Sequence, residues 1–182
     1  ECLVTNGMSY FARDKENANA ALLVEVNKKD FASDHVLAGM YFQRSLEHKA
    51  FLLGGANYAA PVQSVGNFLN AEMPNKSENI KPTYCPNVLF SDLAAIFPSE
   101  ITLSLKSGIK EMARKLHGFD DENALLTGVE TRSSSPLRIV RNETMQSNIK
   151  GIYPCGEGAG YAGGITSSAV DALKVVYSLS TE

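Results

Sequence analysis

The chain has 182 residues, 44% hydrophobic and 20% charged, with a formal net charge of −3 and a pI of about 5.7. That is enough for a packed core in one domain or two small ones. It offers no basic face for nucleic acid and no apolar run near the roughly 18 residues a membrane span needs. Cys2, Cys85 and Cys155 are widely spaced and odd in number, the pattern of reduced cytosolic thiols rather than a disulfide framework, so a cytoplasmic protein is expected.

The first segment, Glu1-Cys2-Leu3-Val4-Thr5, lacks a starting Met and is already strand-like, which reads as an internal start. Cys2 to Thr5 is expected as a short strand ending at the turn pair Asn6-Gly7. Ala20 to Val26 is apolar and partly β-branched, a second strand. Ser33-Asp34 then precedes a helix over about 35–53, with Gly54-Gly55 as its stop. Residues 70–87 carry Pro74, Pro82 and Pro86 among polar residues and read as a long exposed connection. A short helix is expected over 91–97. The clearest helix runs from Pro98 or Ser99 to about His117, with Ile101, Leu105, Ile109, Met112 and Leu116 as one apolar stripe. Residues 127–131 and 137–140 read as strands around the serine-rich turn 133–136. Ile149 to Cys155 reads as a final strand, and Thr166 to Leu179 as a final helix.

The fold class expected from this order is α+β. Residues 1–26 and 125–182 are strand-rich, and residues 27–124 form a helix-rich insertion.

Between the last strand and the last helix lies Gly156-Glu157-Gly158-Ala159-Gly160-Tyr161-Ala162-Gly163-Gly164-Ile165, which holds five of the 14 glycines. Gly156 and Gly158 allow a sharp turn and close approach of backbone to a ligand. Gly163 and Gly164 leave the first turn of the helix clear of Cβ atoms. Amides near Gly164, Ile165 and Thr166 then face outward at the positive end of the helix dipole. A flavin pyrimidine edge, which gains negative charge on reduction, suits that position. Glu157 supplies a carboxylate acceptor for ribityl or ribose hydroxyls. The spacing is neither Gly-x-Gly-x-x-Gly with a downstream acid nor a Walker loop. On residues alone, a turn that merely packs strand against helix explains the run equally well.

The stretch Ile152 to Asp171 closely resembles the C-terminal FAD-binding motif of bacterial FAD-dependent dehydrogenases, in the larger group that contains glutathione reductase. Thr5 to Tyr10, Asp14 to Ala20, Phe42 to Arg44 through Pro61 to Gln63, and Gly128 to Ile139 resemble the same family. The resemblance implies a Rossmann-like flavin domain split by an inserted substrate or cap domain. The N-terminal half, which would carry the pyrophosphate loop, is absent from this sequence. It implies that Gly156, Glu157, Gly158, Ala162, Gly163, Gly164, Ile165 and Thr166 bind FAD, with Glu157 where related flavoproteins often carry Asp. Arg132, in a turn of small polar residues, is a further candidate for the flavin or a substrate anion.

The expected function is therefore a fragment of an FAD-dependent oxidoreductase, itself inactive, with weak or no FAD affinity. Its parent would act on a small-molecule substrate with a nicotinamide reductant as a further partner. The alternative is a non-enzymatic interaction module. No catalytic acid stands out. Cys155 has no Cys-x-x-Cys partner and reads as a buried structural thiol. His35, His48 and His117 form no metal set, and Arg138 and Arg141 read as the polar face of a strand.

Overall fold

The computed structural model describes residues 1–76, 80–133, 135 and 137–180. They form two compact units, Glu1–Thr131 and Arg132–Glu182. The division thus falls between residues 131 and 132, and residues 1–26 belong with the helical middle of the chain.

In the first unit, helix α1 (Ala38–Leu53) buries Leu46, Ala50 and Phe51 on one face. It starts three residues later than its sequence signals. Ser33 accepts from the His35 amide at 3.1 Å, and His35 Nδ1 accepts from the Leu37 amide at 3.1 Å, so these side chains close a turn before the helix begins. Its end matches the glycine pair. Gly55 adopts φ 92°, and a Cβ on Gly54 would run into the carbonyl oxygen of Ala59. That close approach turns the chain directly into strand β1 (Ala60–Ser64), whose five residues are all buried.

β1 is central. It pairs in parallel with β2 (Val88–Phe90) and antiparallel with β3 (Leu125–Thr127), giving the order β2-β1-β3. Ser64 ends β1 and caps helix α2 (Val65–Asn70), accepting the Asn67 amide at 3.2 Å. Helix α3 (Ser99–Ala113) buries Leu105 and Ile109 as its stripe requires. It stops before Leu116, which is exposed. Residues 71–87 hold no helix or strand among those described. The short helix expected over 91–97 is a 3-10 turn, Leu93–Ala95, capped by Asp92.

The strands expected at 2–5 and 20–26 do not form. Residues 2–5 attach through separate bonds, Leu3 N–H to the Glu47 carbonyl at 3.0 Å and Thr5 N–H to the Val129 carbonyl at 2.8 Å. Two such anchors to different elements make no ladder. Leu3, Phe51, Val65, Phe68, Ile96, Ile109 and Val129 belong to one buried apolar cluster.

The second unit contains helix α4 (Ile165–Ser180). The strands expected at 137–140 and 149–155 are irregular chain. An isolated bridge joins Arg141 and Ser147. Residues 134 and 136 of the serine-rich turn lie outside the described residues. No helix among those described is long and apolar enough to cross a membrane.

Candidate functional site at the glycine turn

The glycine run forms a closed turn. The Gly160 amide donates to the Glu157 carbonyl at 2.9 Å, and the Tyr161 amide to the Gly156 carbonyl at 3.0 Å. Gly156 and Gly160 take φ 71° and 80°, the left-handed region that favours glycine. A side chain on Gly160 would also collide with the Leu137 carbonyl. A side-chain carbon on Gly158 would meet nothing within 4 Å, so that edge is open.

Gly164 caps helix α4, and its carbonyl accepts the Ser168 amide at 2.9 Å. Ser167 Oγ reaches back to the Gly164 amide at 3.1 Å. Two of the three amides named from the sequence, those of Ile165 and Thr166, stay open, and Ser167 takes the place of Gly164. Gly164 is satisfied internally. The amides of Ile165, Thr166 and Ser167 have no carbonyl or side-chain partner among the described residues. A glycine at the cap position has no side chain to satisfy them, and all three residues are exposed. Ser168 adds a buried Oγ without a hydrogen-bond partner, beside Gly156.

Of the residues expected to bind, Glu157, Gly158, Gly163, Gly164, Ile165 and Thr166 are exposed, Ala162 is half-buried and Gly156 is buried. All lie in this one turn and helix start. Arg132 is exposed and opens the second unit.

The sequence did not disclose what holds the turn. Arg141, read as a strand-face residue, is instead paired with Asp171 of α4. The guanidinium meets the carboxylate through two bonds, Nη1 to Oδ2 at 3.0 Å and Nη2 to Oδ1 at 2.7 Å. Nη1 also donates to the Pro154 carbonyl at 2.8 Å, and Asp171 Oδ2 accepts the Gly156 amide at 3.0 Å. The side chains are 10% and 12% exposed, so the pair is shielded from solvent screening. The bonds from Arg141 and Gly156 hold the Asp171 carboxyl down at about 2, and the carboxylate raises Arg141 above its ordinary value. The Tyr161 ring lies 3.7 Å from the guanidinium, and its hydroxyl donates to the Ile139 carbonyl at 3.0 Å. Arg138 Nε donates to the Gly160 carbonyl at 3.0 Å. The available signal was Asp171 itself, a carboxylate between Val170 and Ala172 in an apolar helix.

Two other expectations are corrected. Cys155 is exposed, because it alternates with buried Pro154 and Gly156. His117 lies beyond the end of α3. In α1, Glu47 is 1% exposed and accepts the Thr131 hydroxyl at 2.7 Å.

Residues 1–133 match the family described as FAD-dependent protein, C-terminal domain-like, and the chain belongs to that family. It is also 49% identical over 174 residues to an uncharacterized protein of Clostridium beijerinckii, covering 95% of this chain and 33% of that relative. The chain thus spans about a third of the relative's length. The family match ends close to the boundary between the units, so the glycine turn lies beyond it.

Proposed function

We propose that the chain is the C-terminal part of an FAD-dependent oxidoreductase and that its glycine turn and the start of α4 meet the flavin. The observation that carries this is the set of open amides at Ile165, Thr166 and Ser167, at the positive end of a 16-residue helix that follows the glycine pair Gly163-Gly164. Membership of an FAD-dependent family supports it.

The residues fit the group. The amides offer donors to an electron-rich ring edge. Exposed Glu157 offers an acceptor to ribityl hydroxyls. The unpartnered Ser168 hydroxyl is a further polar group in want of a partner. Arg132 is a fork donor for a substrate anion. Bound FAD would supply hydride or electron transfer between a small organic substrate and a nicotinamide reductant. The chain's own groups bind and orient; none is assigned as acid or base.

The outer face of α4 supports a longer flavin domain of Rossmann-like type. Ile165 is 92% exposed and Tyr177 69%, and Leu173 and Val176 are more than half exposed, whereas the inward face carries Asp171 and Val175. Large apolar side chains facing outward call for a covering surface, which the remainder of a longer polypeptide would supply, with residues 27–124 as a cap or substrate-binding insertion.

Gly164→Val tests the reading. A Cβ at Gly164 comes 3.3 Å from Ser167 Oγ and fills the space before the open amides. In the longer flavoprotein, the variant is expected to fold and to lose its yellow flavin absorbance. Full flavin retention by a folded Gly164→Val protein defeats the proposal.

A further inference from the structure

Asp171 lies in the second turn of α4, whereas Gly156 and Pro154 lie at the entry to the glycine turn. The carboxylate grips Gly156 directly and Pro154 through Arg141, so one ion pair ties two points of the turn's entry to the body of the helix. Tyr161 closes the far end, stacked on the same guanidinium and bonded to the Ile139 carbonyl. The turn itself offers little resistance to rearrangement. Its glycines at 156 and 160 are conformationally permissive, Gly158 has open space around it, and no strand ladder supports residues 149–155.

We propose that Arg141 and Asp171 are positioning residues that preset the glycine turn against the start of α4, so that the ligand-facing amides are held in one arrangement before a ligand arrives. The inference rests on the flavin reading for its ligand, but its mechanical content does not.

The two side chains are not interchangeable in this role. Asp171 must accept from the Gly156 N–H, which an arginine cannot do, and Arg141 must donate to the Pro154 carbonyl, which an aspartate cannot do. A pair that served only as an ion pair would be restored by exchanging the charges. A pair that positions backbone would not.

The test is amide hydrogen exchange on this chain, read residue by residue, together with titration of FAD into the longer parent flavoprotein, followed by flavin fluorescence. In Asp171→Ala, the Gly156 and Tyr161 amides are expected to exchange at least about tenfold faster, the scale of a lost charge-assisted bond. The amides beyond Val175 should keep their protection, which marks the helix as folded. Asp171→Asn keeps one oxygen for the Gly156 amide and should fall between. The double exchange Arg141→Asp with Asp171→Arg should leave the turn as unprotected as Asp171→Ala. Unchanged exchange in Asp171→Ala, or recovery in the double exchange, overturns the proposal. Where the parent chain binds FAD, Asp171→Ala should weaken it at least about tenfold, and equal affinity also overturns it. A parent chain that takes up no FAD counts against the flavin reading, and the exchange data still decide the positioning role.

Discussion

Twelve buried apolar side chains, from Leu3 to Val129, join in one cluster within Glu1–Thr131. In Arg132–Glu182 the buried apolar side chains are Pro154, Ala159 and Val175 among those described, and Asp171 and Ser147 are buried with them. The first unit is held by non-directional apolar burial, which grows with area. The second is held by directional bonds to backbone carbonyls and amides, which fix a shape but contribute little net stability each. A segment as short as the second unit has little capacity for a core of its own. The turn's conformation and the second unit's stability thus have separate sources: the bonds of the Arg141–Asp171 pair bear on the first, and the apolar face of α4 is available for the second.

Phe51→Ala gives the largest expected break in this comparison. Phe51 is 4% exposed and packs edge-on against Tyr58 with ring centroids 5.0 Å apart. Truncation should destabilise the first unit by about 3–5 kcal/mol, read as a lower urea midpoint. The protection of the Gly156 amide should not change. Loss of that protection would show that the second unit depends on the first unit's core.

Acid sharpens the comparison from the other side. The folded Asp171 carboxyl lies at about 2, below its ordinary value of 3.8. Its stabilising contribution is therefore complete above that ordinary value and disappears as pH falls through the folded one. The shift corresponds to about 2 kcal/mol. Gly156 protection is expected to be flat from about pH 8 to pH 5 and to decline only below about pH 4. Asp171→Asn should abolish the acid limb. A midpoint near pH 6 would contradict the carboxylate assignment.

What could be read from the sequence follows the same division. The stripe of α3 was legible because Leu105 and Ile109 share a helical face and both reach the core. Strand β1 was not, because it is only five residues long and contains Pro61, and proline argues against a central strand. Pro61 still contributes its carbonyl, which accepts the Gly128 amide at 3.0 Å. The run at 20–26 has strand-like composition, but no neighbouring strand pairs with it; composition cannot supply a partner. At the candidate site, the glycines announced a turn and a helix start. Gly164 then spends its own amide on Ser167, which moves the open donors to 165–167. Arg141 and Asp171 are 30 positions apart, and no local pattern joins two residues at that separation.

Leu173→Ala carries the smallest expected effect in this chain and the sharpest contrast outside it. Leu173 is 54% exposed on α4, and alanine is as good a helix former as leucine or better. The cost here should be within about 0.5 kcal/mol. If the remainder of a longer polypeptide covers this face, the same change there removes a packed side chain and should cost about 2 kcal/mol or more. Thermal or urea unfolding of both proteins, each with and without the substitution, measures the difference. Equal small costs in both would mean that the apolar face of α4 stays uncovered in the longer protein, and the flavin domain would then have to be assembled without it.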